Sequence, residues 1–340
     1  MSPSLERRPP VMADVATRAG VSHQTVSRVL NDHPNVRAET RERVLAAIRE
    51  LGYRRNMVAR ALVTRHTRTL GVVSFDTTLY GPASTVYGIE QAARAAGYFV
   101  SMVSLKTIDT AGVRDALGYL AEQAVDGIVV VAPQRSAAPA LAGAPTDIPV
   151  VAVEGSHTGD VSVVSVDQIE GARLATRHLL DLGHETVWHI AGPSDWLEAD
   201  GRIEGWREVL GAAGRKAPEL LSGDWSPRSG YEAGLRLATT PGVTAVFVAN
   251  DQMALGMLRA FAELGVRVPE QISVVGFDDI PESEFFTPPL TTIRQDFGAV
   301  GKYSIEILLR QMEAGAEWSQ ERHVVPPRFV ARTSTAPFRA

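Results

Sequence analysis

The chain has 340 residues, 45% of them hydrophobic and 21% charged, which at roughly 150 residues per domain means two or three globular domains and excludes a fibrous or disordered chain. The absence of cysteine excludes disulfide scaffolds, thiolate zinc sites, iron–sulfur clusters and cysteine nucleophiles, while the lack of an apolar core in MSPSLERRPP or of any span of roughly 18 apolar residues points to the cytoplasm. The net charge of −5 hides a division: 13 of the 34 basic and 6 of the 39 acidic residues lie in 1–68, so a head at +7 precedes a body at −12, and the head suits a polyanionic partner.

Residues 1–10 are expected to be a disordered tail. Met12, Val15, Ala16 and Ala19 recur at helical spacing up to Gly20. Ser22 is placed to cap a second helix whose apolar face is Val26, Val29 and Leu30. Val44, Leu45, Ile48 and Leu51 predict a third, ending at Gly52. The first two, joined by the short corner Ala19-Gly20-Val21-Ser22, form a helix-turn-helix pattern. Residues 56–63 can add one or two helical turns, too few to be stable alone, and 64–69 read as a polar linker. Beyond them, β-branched runs at 70–75, 99–103, 127–131, 149–153, 161–166, 186–191, 245–249 and 272–275 alternate with amphipathic helical stretches. That alternation predicts parallel, doubly wound α/β sheets in two lobes, with a polar cleft at strand C-termini. The Ala- and Pro-rich segment 136–145 is expected to be a surface loop.

In a helix-turn-helix the second helix enters the major groove with its first residues toward the bases. Here those are His23, Gln24 and Thr25, with Arg28 one turn on from Gln24. Gln pairs bidentately with adenine and Arg with guanine, each worth about 1–3 kcal/mol of discrimination. Ser22, Ser27, Asn31 and Thr40 sit near helix ends, where hydroxyl and amide groups hold phosphates, and Arg37, Arg41, Arg54 and Arg55 add non-specific attraction. The sequence has no nucleophile elbow, Walker loop, GxGxxG or HExxH pattern, so neither an enzyme nor a metal or cofactor site is expected.

The stretches ADVATRAGVSHQTVSRVLN, VRAETRERVLAAIRELGYRRN, VARAL, VANDQMALG (248–256), ISVVGFDDIPES (272–283) and PPLTTIRQDF (288–297) resemble the LacI/GalR family of transcriptional regulators over nearly the whole chain. The resemblance implies a helix-turn-helix domain at 11–55 and a hinge helix and linker at 56–68, with Asn56, Val58, Ala59 and Leu62 at the DNA and Leu62 wedged into the minor groove. It implies an effector-binding and dimerisation domain at 69–335, of periplasmic-binding-protein type, and a tail at 336–340. Lobe one would be about 69–166 and 297–326, lobe two about 167–294 and 327–335. The effector cleft would use Leu79, Gly81, Glu154, Arg202, Trp225, Asn250, Asp278, Gln295 and Phe297, with Trp196 and Glu198 of GPSDWLEADGR (192–202) at its rim. Such groups suit adjacent sugar hydroxyls and an apolar sugar face. The capping alternative stays open for Asn250 and for Asp278 or Asp279.

The function so implied is a repressor whose hold on double-stranded operator DNA is controlled by a galactoside or other small saccharide. The extra aromatic and acidic rim points to a larger or differently linked sugar. The family's usual Thr cap near position 11 is Val11 here, which puts one phosphate contact in doubt. With no apolar heptads after Thr335, a homodimer on a roughly palindromic operator is expected. The alternative is a sugar-binding transport or sensor protein without DNA function.

Overall fold

The computed structural model describes residues 8–54, 66–75, 78–106, 109–131, 133–142, 147–154, 161–315 and 318–339, divided into two compact units between Thr67 and Arg68. The expected hinge helix, with Asn56, Val58, Ala59 and Leu62, lies outside the described residues, as does Arg55.

Among its described residues the first unit holds three helices, α1 (Met12–Ala19), α2 (His23–Leu30) and α3 (Ala38–Leu51). Gly20 ends α1 with φ +64°, a left-handed turn that costs glycine little. The core is Val15, Ala16 and Ala19 of α1, Val26 and Val29 of α2, Val44 and Ala47 of α3, and Tyr53. Leu45, expected on the inner face of α3, is 41% exposed. Ala47 takes its place, because positions 44, 47, 48 and 51 share one helical stripe and 45 lies a step off it.

The second unit runs in chain order β1 (Thr69–Phe75), α4 (Tyr80–Ala95), β2 (Phe99–Leu105), α5 (Thr110–Glu122), β3 (Gly127–Val131), α6 (Ala138–Ala142), β4 (Val150–Val153), β5 (Ser162–Val166), α7 (Gln168–Asp181), β6 (Trp188–Ala191), α8 (Leu197–Ala212), β7 (Leu221–Ser222), α9 (Pro227–Ala238), β8 (Ala245–Val248), α10 (Asp251–Glu263), β9 (Ser273–Val275), β10 (Thr292–Arg294), α11 (Phe297–Ala314), β11 (Arg322–Val325) and β12 (Arg328–Val330). Every strand predicted from the sequence is present, with ends within two residues of expectation. Strands β7, β10, β11 and β12 went unpredicted, being two to four residues long and too short to carry a period. Thr69, expected in the linker, begins β1. The supposed surface loop at 136–145 instead holds a 3₁₀ turn, Arg135–Ala137, and α6. Ala137, Ala140 and Leu141 are buried beneath the sheet, since alanines form helix readily and pack closely.

Two parallel sheets make the two lobes. The first has six strands in the order β11-β5-β4-β3-β1-β2, the second four in the order β7-β6-β8-β9, and β10 pairs antiparallel with β12 alongside. The Val-rich strands β3, β4 and β5 are buried along their whole length, as strands covered by helices on both faces must be. The chain passes between the sheets three times, after β5, between β10 and α11, and between β11 and β12. The Asp167 N–H donates to the Val325 carbonyl at 3.0 Å, tying two of these crossings together. No helix among the described residues is long and apolar enough to span a membrane.

Helices α4 and α11 cross where Gly88 faces Gly301. A β-carbon on Gly301 would lie 2.3 Å from the Gly88 carbonyl carbon, so the backbones approach as closely as they do only without side chains. Gly118 in α5 has open space around it. Gly301→Val is therefore expected to lower stability by about 1–3 kcal/mol through overpacking, and Gly118→Ala to raise it by roughly 0.5–1 kcal/mol. Urea unfolding midpoints check both signs, and equal effects of the two changes would contradict the packing described.

Candidate functional site

In the head, Ser22 Oγ accepts the Thr25 N–H at 3.2 Å, and the two hydroxyl oxygens are 2.9 Å apart. This cap starts α2 so that Val26 and Val29 point inward while His23, Gln24 and Arg28 stay exposed. Gln24 and Arg28, four residues apart, therefore share one outward face. Arg28 has no ion pair with any described residue. Asn31 Nδ2 donates to the Ser27 carbonyl at 2.9 Å, closing the far end of α2, and Thr40 is half-buried in the first turn of α3. Arg37 and Arg54 are exposed. Arg41, expected as a free attractor of phosphate, is instead engaged by Asp32 Oδ1 at 2.5 Å and the His33 carbonyl at 3.1 Å. Val11 keeps half of a capping box: its N–H donates to Asp14 Oδ2 at 2.8 Å, but it has no hydroxyl to give in return.

In the body, a cavity of about 30 Å³ lies between the lobes, room for one or two water molecules. Arg202, on the buried face of α8, is 2% exposed. Its Nε donates to Gln168 Oε1 at 2.9 Å, another guanidinium nitrogen donates to the Ala249 carbonyl, and a third lies 3.9 Å from Asp278 Oδ1. Gln168 Nε2 donates to Gln295 Oε1 at 2.9 Å, and Gln295 Nε2 to Asp278 Oδ1 at 2.6 Å. The ring of four is closed, and through Gln168 and Gln295 it spans two of the three lobe crossings. The guanidinium also stacks 3.9 Å from the Phe277 ring centre and 5.4 Å from that of Trp225.

Trp225 stands at φ +71°, a conformation costly for a bulky residue and one that gathers at binding sites. Its ring fills space that only Gly192 leaves, since a β-carbon there would fall 2.1 Å from the indole. It meets Trp196 edge to face at 5.4 Å, and its buried Nε1 has no hydrogen-bond partner among the described residues. Asn250 caps α10 by accepting the Met253 N–H at 3.0 Å and donates to the Trp225 carbonyl at 3.1 Å. It lines the cavity and serves as a cap as well.

Leu79, Gly81, Trp196, Glu198, Arg202, Trp225, Asn250, Asp278 and Gln295 all line the cavity. Glu154 and Phe297 do not. Glu154, at the end of β4, turns one carboxylate oxygen back to accept the Val166 N–H at 2.7 Å. Phe297, at the start of α11, meets Tyr80 edge to face at 5.8 Å and backs Gly81. Sequence reasoning missed Tyr80, Pro82 and Gln252, which also line the cavity, and Gln168 behind them. Tyr80 and Pro82 flank the expected Gly81, and Gln168 directly follows a strand; strand-end position was the available signal. Asp279 faces away, paired with Arg294 and Arg332.

The charges are unbalanced. Burial pushes Asp278 up to about 7, with Arg202 and Gln295 pulling the other way. Burial also raises Glu154, and Glu198 adds to it; Glu198 is raised by burial against the pull of Arg202. Asp251, behind the cavity, is raised well above the usual carboxylate range by burial and by Asp278, while Thr292 Oγ1 donates to it at 2.6 Å.

At the rim the lobes are joined directly. The Arg135 N–H donates to the Asp195 carbonyl at 3.1 Å, the Leu197 N–H to the Pro133 carbonyl at 2.8 Å, and Arg135 pairs with Asp200.

A helix-turn-helix head in one chain with a two-lobed α/β body and a polar interlobe cleft defines a binding-protein-like regulator. Residues 11–56 match the family model for bacterial regulatory proteins of the lacI family, and 176–335 that for a periplasmic binding protein-like domain. The lactose operon repressor of Escherichia coli K12 is 36% identical over 330 residues, 96% of this chain and 91% of that protein. The HTH-type transcriptional repressor PurR of Haemophilus influenzae is 35% identical over 94% of this chain and 97% of its own. Among solved structures, the lac repressor dimer bound to operator and the anti-inducer ONPF matches with a TM-score of 0.87, at 35% identity over 97% of this chain and 100% of that one. The regulator CelR in complex with cellobiose matches at 0.71, with 32% identity over 96% and 99%. The chain belongs to the LacI family, and these relatives are repressors and regulators rather than enzymes.

Because burial raises Asp278 from 3.8 to about 7, the folded chain holds a proton there that the unfolded chain has released. Its contribution to stability is therefore complete below about pH 4 and lost as pH rises through 7. Relative to Asp278→Asn, the natural protein should lose stability between pH 5 and pH 8. Urea unfolding of both proteins across that range checks this, and parallel pH profiles would contradict it.

Proposed function

We propose that this protein is a sequence-specific transcriptional repressor whose operator affinity is controlled by a galactoside or other small saccharide bound between the lobes. The observation that carries the effector half is the cleft floor. Arg202, Asp278, Gln295 and Asn250 converge there beside the Trp225 indole, whose Nε1 has no partner among the described residues. Paired carboxylate, amide and guanidinium groups suit adjacent hydroxyls, and a flat ring suits the apolar face of a sugar. The lac repressor solved with operator and ONPF, and CelR solved with cellobiose, support both halves.

On this reading the domains are those expected from the sequence: a DNA-binding domain at 11–55, a hinge at 56–68 and an effector domain at 69–335. His23, Gln24, Thr25 and Arg28 face base edges; Ser22, Ser27, Asn31 and Thr40 position α2 on the backbone; Asn56, Ala59 and Leu62 act at the hinge. The protein works in the cytoplasm as a homodimer on a roughly palindromic operator. Glu154 and Phe297 act from behind the cleft, Glu154 tied to the Val166 N–H and Phe297 packed behind Gly81. A saccharide enters when the rim contacts at 133–136 and 195–197 open, and closure around it biases the hinge. A transport protein would have no use for the head at 11–56.

The test is a thermal-shift screen of mono- and disaccharides, in which a ligand at 100 times its Kd stabilises the body by about 2.7 kcal/mol. Asp278→Ala should abolish the shift by the best hit while operator binding persists. Arg28→Ala should relax operator choice at one base pair by about 1–3 kcal/mol. A normal ligand response in the Asp278→Ala protein would overturn the cleft assignment.

A further inference from the structure

The cleft has a surplus of acid that a neutral sugar leaves standing. Glu198 lines the cavity from the first turn of α8. Among the described residues Arg202 is the one cationic side chain in the lining, and it is turned to Gln168, the Ala249 carbonyl and, at 3.9 Å, Asp278. The Glu198 carboxylate thus has no hydrogen bond or ion pair with any described residue. Glu154 stands behind it from the other lobe, near enough for Glu198 to raise it further, with one oxygen accepting the Val166 N–H. A carboxyl group withdrawn from water without a hydrogen-bond partner is costly.

The walls beside Glu198 are aromatic. Trp196 and Trp225 meet edge to face and Tyr80 lines the same cavity. Trp225 Nε1, a buried donor without a partner among the described residues, marks a place for an acceptor next to the place Glu198 marks for a donor. Aromatic rings beside an unpaired carboxylate form the setting in which an ammonium group is held, by ion pairing and by the negative ring faces. A hydroxyl can donate to Glu198 but brings no charge to pair with it.

We propose that the cleft is built for an aminated saccharide whose protonated amine sits at Glu198, facing Glu154, while a neighbouring ring or glycosidic oxygen accepts from Trp225 Nε1. This rests on the reading of the cleft as a saccharide site and names the kind of saccharide. Glu198 is then the residue that sets specificity, and Trp196 and Trp225 the walls that position the amine.

The experiment is titration calorimetry of the full-length protein at pH 7 with matched sugars: glucosamine, N-acetylglucosamine and glucose; galactosamine and galactose; β-1,4-linked diglucosamine and cellobiose. In at least one set the amine should bind ten-fold or more tightly than its neutral and N-acetylated counterparts, the last of which keeps the nitrogen but not the charge. Glu198→Gln should bring that ratio close to one, and unchanged operator binding by the variant shows that it is folded. If neutral sugars bind as tightly as amines, the charge proposal is wrong and the saccharide reading stands. If no sugar of either kind binds, the saccharide reading itself fails and this proposal falls with it.

Discussion

The buried guanidinium of Arg202 is the constraint on which the rest of the body depends. A cation that is 2% exposed must find its full complement of acceptors inside the protein, or it destabilises the fold by several kcal/mol. Its partners lie on four separate pieces of chain: Gln168 at the start of α7, the Ala249 carbonyl at the end of β8, Asp278 with Phe277 beyond β9, and the Trp225 ring. Asp278 is in turn held by Gln295, which stands on the crossing from β10 to α11. One charge thereby fixes the relative placement of the second sheet and two of the three strands of chain that join the lobes.

The same demand explains where the backbone departs from comfortable geometry. Glu154, Trp225 and Asp278 all have positive φ, at +56°, +71° and +110°. Each lies just after a strand or just before a helix, where the chain must turn sharply to aim a side chain toward the space between the lobes. Such conformations cost about 1–3 kcal/mol each and persist only where the surroundings over-determine them. Here the surroundings are the polar ring of Arg202, Gln168, Gln295 and Asp278, the glycine at 192 that admits the indole, and the rim pairing of 133–135 with 195–197. A cleft closed by a few hydrogen bonds and aromatic contacts, Phe75 against Trp196 among them, can open and shut at modest cost, as a sensor requires.

Much of this was legible in the sequence. Central strands were readable because a run such as GIVVV at 127–131 is long, β-branched and buried on both faces. The head was readable because its apolar period, the Ser22 cap and the glycines at 20 and 52 agree with one another. The loop at 136–145 was misread because Ala and Pro carry no periodic signal, and Leu45 because a helix face cannot be told from composition to within one residue. In the cleft, Arg202, Asp278 and Asn250 were identified by resemblance and by strand-end position. Gln168 and Tyr80 were not, since an amide or a tyrosine at a helix start looks the same whether it faces a ligand or water. Likewise, nothing local distinguishes Glu198, unpartnered, from Glu208, paired with Arg173; only the fold does so.

The central claim is that one ligand in the cleft and one DNA in the head are linked, and linkage is reciprocal. The direct measurement is operator affinity of the full-length protein with and without saturating saccharide, set beside saccharide affinity with and without saturating operator. The account predicts that the two ratios are equal and differ from one by roughly five-fold or more. An operator affinity that does not change when the cleft is filled would contradict it.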